Sequence, residues 1–338
     1  MIEETGYDPI ALLTLYVKRS LSGLSVIGDT DHVEAFMFSC ESLDERTVEV
    51  LKQVAAGLSL KTKSFFYQSY AESFYQYMVH QPEDIWVRQV LLCDYHSDVM
   101  KIYRMECNRR TTPMVVYIEK DERNFFACGD YPEEEEKKQN VFTQMDEKML
   151  AMAQELAEGQ MITSVYLIGE GFSEEWMKES LRFLCRNRRV FQGNNLYSKG
   201  ACYALRERLY PTEISGRYVF LGEDKLKANI GMKVYRQGES SYLALLDAGV
   251  SWYDARFQTE VYLEEGNSFD IVLTPLNGKD ARYGKVTLTG LPERKTPTRL
   301  YIEISMTGEN KVRLYVEDLG FGELSPSGYQ KWTENFEI

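Results

Sequence analysis

A change in the spacing of apolar residues at about residue 215 constrains the fold of this chain more than any other feature of its sequence. Before that point apolar residues recur at helical intervals, as in residues 8–21, where Ile10, Leu13 and Val17 share one face. Beyond it they alternate, as in residues 300–306, where Leu300, Ile302, Ile304 and Met306 face one way. This change predicts an α/β part followed by an all-β part.

Local signals place the elements of the first part. Asp8 and Pro9 form an N-cap and a first helical position. Further helices are predicted at 48–57, before Pro82 and at 142–159, and strands at 33–38, after Val87 and at 114–118. The methionines of residues 142–159 are interpreted as core filling. The charge-rich run at 131–140 is interpreted as a surface loop that carries no site.

The second part is predicted to be a compact antiparallel β-sandwich. Residues 300–306 and 312–316 form a hairpin with one buried side, joined by a turn at 307–310. Similar alternation occurs at 269–273 and 286–288, with turns at Asn277-Gly278 and at 290–292.

Composition and charge exclude several classes of partner. The chain has 338 residues and a formal net charge of -13, which opposes binding to nucleic acid or to an anionic membrane. Its acidic amino terminus is unlike a signal peptide, and no apolar run is long enough to span a bilayer, so a cytoplasmic location is expected. The six cysteines contain no Cys-x-x-Cys pair, so neither a metal knuckle nor a disulfide framework is predicted.

Residues 164–176, "SVYLIGEGFSEEW", predict a strand, a glycine turn and a helix start with Ser173 as N-cap. A strand and a helix joined by glycines can cradle a phosphate. Here Glu170, Glu174 and Glu175 place negative charge where the phosphate would lie. Acids in a first helical turn stabilise the helix when no anion is bound, which argues against direct phosphate binding.

Residues 90–100, "VLLCDYHSDVM", predict an apolar strand that ends in Asp94, His96 and Asp98. Alternate positions on a strand project to one face, so these three side chains form a candidate site for a divalent metal. The alternative, favoured because no other element supplies ligands, is a set of polar residues at a strand end, without metal. Cys93 is interpreted as a buried thiol with no basic neighbour.

Four stretches together resemble the seventy-kilodalton heat-shock chaperones, the DnaK-like branch of the actin-like ATPase superfamily. Residues 42–60 resemble the helix that ends in Ala-Gly-Leu, and residues 70–78 the segment that carries a functional glutamate, here Glu72. Residues 90–105 lie where the family has its second phosphate loop. "SVYLIGEGF" and "LYSKGACYAL", at 164–172 and 196–205, are similar to the adenosine motif and the helix after it.

Residues 229–324 resemble the peptide-binding β-sandwich of the same chaperones, including Gly-Leu-Pro at 290–292 and Asp-Leu-Gly at 318–320. The resemblance implies a partial actin-like, ribonuclease H-like ATPase core followed by a DnaK-like antiparallel β-sandwich. The implied domains are a partial first lobe at 1–88, a reduced second lobe at 89–212 and the sandwich at 213–338. "GEGF", "RRVFQGNNLY" and "DLGFGEL" are associated with a little-characterised bacterial family of such proteins, which implies no activity.

The resemblance also implies functional positions. By family position Asp94 and Glu72 would be catalytic, although a helix-end glutamate is more often simply solvated. The implied nucleotide-binding residues are Asp94, Gly169, Glu170, Gly171 and Gly200. In the sandwich the loop at 248–252 supplies Gly249 and, as an aromatic anchor for a peptide, Trp252, for which a core position is the alternative.

Departures from the family pattern weaken the case for catalysis. The first phosphate loop has no counterpart, and at the second only Asp94 is kept, while His96 and Ser97 stand among the positions of its glycines. Side chains there obstruct the backbone amides that would surround a phosphate. At the adenosine motif Glu170 replaces the second glycine and Ser173 an arginine. The outer nucleotide-gripping subdomain and the helical lid also lack the chain length they need.

The sequence therefore predicts a cytoplasmic, chaperone-like protein with a degenerate nucleotide-binding core, which binds a peptide or protein partner through its β-sandwich. No cofactor and no metal are assigned. The first alternative is an active ATP- and magnesium-dependent chaperone or switch whose first phosphate loop lies upstream of a truncated start. The second is a structural interaction module without a ligand.

Overall fold

The computed structural model describes residues 8–26, 28, 33–62, 64–276, 279–294, 296–323 and 325–338. The chain divides into two compact units. Unit 1 comprises Met1–Ser42 and Leu51–Phe220, and unit 2 comprises Leu43–Val50 and Leu221–Ile338. The division of the first 212 residues into two lobes at residue 88 stays a prediction.

Unit 1 is a mixture of helices and strands. Its helices are α1 (Pro9–Ser22), α2 (Glu45–Leu58, which begins in unit 2), α3 (Tyr70–Val79), α4 (Glu135–Ala157), α5 (Glu179–Leu184), α6 (Leu196–Leu209) and α7 (Glu213–Arg217). Its strands are β1 (Phe36–Cys40), β2 (Phe65–Ser69), β3 (Gln89–His96), β4 (Val99–Asn108), β5 (Met114–Asn124), β6 (Ile162–Ile168), β7 (Arg189–Gln192) and β8 (Tyr218–Phe220). Short 3-10 turns lie at Gly23–Val26, Glu83–Ile85 and Glu170–Phe172. The predicted cap of α1 is confirmed, since the Asp8 side chain accepts a hydrogen bond from the Ile10 amide.

Unit 1 contains a small parallel sheet and a large mixed one. Strands β1 and β2 form the small sheet. The large sheet has the order β7-β6-β3-β4-β5-β8, in which β3, β4 and β5 form an antiparallel meander. Strands β6 and β7 continue the sheet in parallel from β3, and β8 pairs in parallel with β5. Since β3 and β6 are parallel neighbours, their carboxyl ends meet, and Asp94 pairs directly with Ile168.

Both faces of β3 are buried, which explains its continuous apolar sequence. Leu91, Cys93 and Tyr95 pack with the apolar face of α4, including its methionines. Val90 and Leu92 belong to a second cluster, with residues from α3 and α6. The interpretations of the α4 methionines and of Cys93 as core residues are confirmed, and burial raises the pKa of the Cys93 thiol to about 12.

Two predictions of local structure in unit 1 are wrong. The first placed a loop over residues 131–140, whereas α4 begins at Glu135. The run from Glu135 to Asn140 is nevertheless mainly exposed. Its charged residues therefore form the outer first turns of a long helix, and the helical apolar pattern starts only where α4 reaches the core.

The second wrong prediction made Ser173 an N-cap. The chain instead makes a 3-10 turn over Glu170–Phe172, and α5 begins only at Glu179. The indole of Trp176 donates to the Gly171 carbonyl at 2.7 Å, which folds the intervening segment back on itself. The amides of Glu179 and Ser180 donate to Asp146 of α4, at 2.8 and 3.0 Å. A distant side chain thus replaces the local cap that the sequence indicated.

Every regular element described after Phe220 is a strand, in agreement with the predicted all-β part. These strands are β9 (Ala228–Arg236), β10 (Glu239–Leu246), β11 (Arg256–Leu263), β12 (Ser268–Pro275), β13 (Arg282–Thr287), β14 (Thr298–Gly308), β15 (Lys311–Gly320) and β16 (Lys331–Glu337). They form two antiparallel sheets with the orders β10-β9-β12-β13 and β11-β14-β15-β16.

The predicted period of two is confirmed in the second sheet of unit 2. Leu300, Ile302 and Ile304 of β14 are fully buried, while the residues between them are partly exposed. Val312 and Leu314 of β15 continue the same buried face. The predicted turn at Asn277-Gly278 lies outside the described residues. None of the described helices is long and apolar enough to cross a membrane.

Candidate functional site

The polar residues at the end of β3 form the first candidate site. Asp94 is only 4% exposed, although it lies two residues before the strand ends. One carboxylate oxygen accepts a hydrogen bond of 2.8 Å from the hydroxyl of Tyr197 in α6. The other lies 3.1 Å from Nε2 of His96, without hydrogen-bond geometry. The structure therefore brings Asp94 and His96 together, as the sequence predicted.

The charge of Asp94 is poorly compensated. Burial raises the pKa of its carboxyl, while the Tyr197 hydroxyl and, more weakly, His96 and Lys101 act in the opposite direction. Lys101 is the direct cross-strand partner of Asp94, but its ammonium group lies 2.5 Å from the Glu41 carboxylate. The side chain of Lys120 binds the same carboxylate at 2.7 Å, and these two lysines lower the pKa of Glu41. The nearby cations thus neutralise Glu41 more directly than Asp94.

The turn between β3 and β4 is closed by Glu170. Ser97 has a left-handed φ of 54°, and its amide donates to the Glu170 carboxylate at 3.1 Å. The same carboxylate lies 4.0 Å from Nδ1 of His96. Glu170 lies two residues after the end of β6, so the parallel pairing of β3 and β6 brings it to this turn. A carboxylate already binds the backbone donor at the position that the family resemblance assigns to a phosphate loop.

The predicted trio of Asp94, His96 and Asp98 is not aligned on one strand. Strand β3 ends at His96, and Asp98 is an exposed residue of the following turn. The Asp98 carbonyl accepts the amide of Phe125 at 2.6 Å. The reason for the error is that the chain reverses at Ser97, which ends the two-residue period. Among the described residues no group of three histidine, cysteine or acidic side chains is arranged to hold a metal ion.

The glycines assigned to nucleotide binding contact other parts of unit 1 closely. Gly169 has a φ of 103°, and a methyl group on it would overlap the backbone of Tyr95. A methyl group on Gly171 would overlap the Tyr95 ring, and one on Gly200 the carbonyl of Ser73. Each glycine therefore has a packing requirement that is independent of any ligand. The space beside the Cα of Gly169 holds protein and not an adenine.

Glu72 lies in the first turn of α3 and is 6% exposed, so the interpretation as a solvated helix-end residue is wrong. Its amide donates to the Ser69 side chain, which caps the helix. Its carboxylate lies 3.8 Å from the guanidinium of Arg208 in α6. Packing of α3 against α6 buries Glu72, while the Arg208 side chain stays 25% exposed, and the sequence carries no local signal for this long-range contact.

A cavity of about 570 Å³ lies beside Glu170. Its lining includes residues of the 131–140 run, which the sequence had assigned no site, together with Ser173 and Glu174. Lys138 Nζ lies 3.3 Å from the Glu174 carboxylate and 5.1 Å from the centre of the Phe142 ring. The remaining charged lining residues, Glu133, Glu135 and Glu170, are acidic. The cavity therefore has a negative charge that opposes an anionic ligand.

In unit 2 the predicted peptide anchor is a core residue. Trp252 is 6% exposed, and its indole donates to the Leu43 carbonyl at 3.0 Å, within the same unit. Gly249 has a φ of 90°, and its amide donates to the Leu226 carbonyl at 2.8 Å. Trp252 is therefore a core residue, which was the alternative to a peptide anchor. The loop at 248–252 exposes no aromatic side chain that could anchor a peptide.

A second cavity, of about 430 Å³, was missed by sequence reasoning. It is lined by β12, β13 and β16, with Ile271 and Leu273 among its apolar residues. Strands β13 and β16 are the outermost strands of their two sheets. The sequence signal was a break in alternation, because Gly284 and Glu334 stand at positions where the pattern calls for apolar residues. Recognising it as a groove required the strand order.

Comparison with known proteins gives two family matches. A model described as "Family of unknown function (DUF5716) C-terminal" matches residues 1–223, and one described as "Domain of unknown function (DUF8552)" matches residues 225–338. No curated protein matches the chain. Among solved structures, one titled "Alp12 filament structure" is similar with a TM-score of 0.39 and 10% identity, over 61% of this chain and 77% of that chain.

Proposed function

The chain belongs to the family of unknown function DUF5716, and from that premise we propose that it is a non-catalytic binding protein. Its unit 1 is a reduced actin-like core that holds no nucleotide, and its unit 2 binds a peptide or protein segment. One observation carries the proposal: the Glu170 carboxylate accepts the Ser97 amide at the turn where a phosphate would bind.

Several features of unit 1 support a core without nucleotide. Phosphate loops bind anions through several free backbone amides and a positive local field. Here the turn amide is bonded to Glu170, Asp94 is buried beside it, and the neighbouring cavity is acidic. Gly169 lies against Tyr95, which leaves no room for a base on that side. Phosphoryl transfer needs two loops and a metal, and these residues offer neither a phosphate cradle nor a metal cluster.

The topology of unit 1 supports the actin-like part of the proposal. An antiparallel meander, β3 to β5, continues through two parallel strands on the β3 side of the sheet. This is compatible with the ribonuclease H-like lobe that the family resemblance implies. Asp94 then lies at the carboxyl end of a central strand, where ligands of α/β sheets usually bind.

Unit 2 supports the binding part of the proposal. Its two sheets leave β10, β11, β13 and β16 as outermost strands of the described sheets. An extended peptide binds such an edge by adding main-chain hydrogen bonds. The DnaK-like character of this unit rests on the sequence resemblance, whereas its open edges are a property of the strand order.

Isothermal titration calorimetry of the whole chain tests the first part, and retention of the chain by immobilised peptides tests the second. ATP with magnesium is expected to give no binding heat, and a random-sequence peptide library immobilised on a surface is expected to retain the chain. The variant Glu170→Ala, which frees the Ser97 amide, is the matched sample for the nucleotide titration. Micromolar binding of ATP to the wild type would refute the closed core, and failure to bind any peptide would favour a structural module without ligand.

The alternative of an ATP-dependent switch has one observation in its favour: the matched family model is described as a C-terminal region. The gene should be searched upstream for a segment rich in glycine and threonine. If such a segment exists, the longer chain should be assayed for ATP hydrolysis with magnesium. Activity there, but not in the 338-residue chain, would establish the switch.

A further inference from the structure

We infer that the cavity between β13 and β16 is a groove that binds an extended, uncharged peptide segment and admits one of its aliphatic side chains opposite Gly284. The inference deepens the proposed binding function by naming the site and the class of segment.

The walls of the groove are two sheet edges. Among the described strands, β13 pairs only with β12 and β16 only with β15. One side of each strand therefore presents main-chain N–H and C=O groups that no described strand covers. These groups alternate along a strand, and their natural partner is another extended chain.

The floor of the groove is apolar and open at one position. Ile271 pairs with Gly284 across β12 and β13, so the two residues share a face of the sheet. Ile271 is 1% exposed, yet a Cβ atom added to Gly284 would have no heavy atom within 4 Å. The missing side chain leaves open space at Gly284, next to the buried isoleucine. An aliphatic side chain of a bound segment would bury apolar surface there.

The opposite wall is not sealed by apolar packing. Glu334 pairs with Leu314, and Phe336 with Val312, so these β16 residues point to the buried face of their sheet. Glu334 is nevertheless exposed, because it lines the groove. Inward-pointing charges at sheet edges discourage pairing of two copies. This favours a separate peptide over a second copy of the chain as the occupant.

The charge of the lining selects the kind of segment. Arg282 and Lys285 of β13 and Glu334 and Glu337 of β16 all line this cavity. Two cations and two anions cancel, so neither a strongly basic nor a strongly acidic segment is favoured. Beyond Thr287 the indole of Trp332 donates to the Thr289 carbonyl at 3.0 Å and joins the walls at that end. At the other end Arg282 also lines a further cavity of about 340 Å³.

The test uses fluorescence polarisation with the whole chain. The probe is a fluorescein-labelled peptide of nine residues, acetylated and amidated, that alternates threonine with valine. Gly284→Leu fills the open position, and about tenfold weaker binding is expected, equivalent to about 1.4 kcal/mol. Gly284 lacks a left-handed φ and has open space, so this variant is expected to keep its melting temperature. The matched control is Gly193→Leu, an equally open glycine in unit 1.

Two further probes test the geometry. Peptides N-methylated at odd or at even positions should differ in affinity by about tenfold, because an extended chain directs alternate amides to one wall. Versions in which threonine is replaced by glutamate or by lysine should both bind more weakly than the neutral probe.

The outcomes separate the inference from the proposed function. If the wild type binds the probe and Gly284→Leu binds it equally well, the groove is not the site, although peptide binding stands. Retention of library peptides without binding of the probe would overturn the segment class. Absence of all peptide binding overturns the proposed function and the groove together. Concentration-dependent sedimentation that Gly284→Leu abolishes would identify a second copy as the occupant and contradict the inference.

Discussion

Asp94 in unit 1 and Asp318 in unit 2 are both buried, and their carboxylates are held in opposite ways. Asp318 in unit 2 accepts two hydrogen bonds from the Arg294 guanidinium, at 2.8 and 2.7 Å, and two more from the amides of Gly320 and Gly328. Burial acts to raise its pKa, but these bonds outweigh it and the pKa is lowered. Asp94 in unit 1 has one hydroxyl donor and a raised pKa.

This difference indicates which of the two ionised carboxylates stabilises the folded state. Asp318 joins β15 to the segments around Arg294 and Gly328, so its ionised form is part of the structure of unit 2. The ionised form of Asp94 lowers the stability of unit 1, because a buried carboxylate with few hydrogen-bond donors is destabilising. The proposed function expects such a residue, because it treats the end of β3 as a ligand site without its ligand.

The largest effect is expected for Asp318→Asn. It leaves the buried Arg294 without a counter-charge, which should lower the free energy of unfolding by about 3–5 kcal/mol at neutral pH. Since the folded pKa of Asp318 lies below its ordinary value of 3.8, the contribution is complete above that value and is lost as the pH falls through the lower folded pKa. Chemical denaturation at pH 7 and at decreasing pH measures it.

The control for this prediction is an exposed ion pair in the same unit. Glu260→Gln breaks an ion pair between β11 and β14. The Glu260 carboxylate and the Arg299 guanidinium lie 2.5 Å apart on the surface. Solvent screens that pair, so a far smaller change is expected. Equal losses for the two variants would show that Asp318 is not a structural charge and would remove the contrast with Asp94.

A second effect concerns the glycines next to the two candidate sites. Gly169→Ala combines a left-handed φ with an overlap against Tyr95, and a loss of about 3 kcal/mol is expected. Gly284→Ala meets open space and an ordinary φ, so it should stabilise the protein by about 0.4–1 kcal/mol, by restricting the unfolded chain. Thermal unfolding of both variants compares the packed turn with the open groove. A harmless Gly169→Ala would mean that the turn beside Asp94 is loosely held.

The sequence predicted what depends on local signals. The Asp8 cap, the period-two strands and the buried methionines of α4 all follow from spacing along the chain. The proximity of Asp94 and Glu170 requires β3 and β6 to be parallel neighbours, and the groove requires β13 and β16 to be outermost strands. The Ser173 cap failed because Asp146, from another helix, supplies the acceptor. The predicted features therefore depend on residues close in sequence, whereas the missed ones depend on strands and helices that are distant in sequence.

A smaller effect is expected for Glu170→Ala. The variant removes the acceptor of the Ser97 amide, an exposed hydrogen bond, so the loss of stability should be about 1 kcal/mol or less. Hydrogen exchange of the Ser97 amide is the sharper measurement, and its protection should disappear. Glu174→Ala, which breaks only the contact with Lys138, is the control and should leave Ser97 protected. Unchanged protection in Glu170→Ala would show that the carboxylate does not close the turn.

The smallest effect, and one of opposite sign to Asp318→Asn, is expected for Asp94→Asn. The folded pKa of Asp94 lies above its ordinary value of 3.8, so the folded state binds the proton more tightly than the unfolded state. Wild-type stability therefore falls as the pH rises from that ordinary value through the folded pKa. The amide cannot ionise, and its oxygen can still accept the Tyr197 hydroxyl. The variant should therefore equal or exceed the wild type at pH 7, and its advantage should shrink towards pH 4. A loss of peptide binding or of stability at pH 7 would show that the folded protein uses the charge of Asp94.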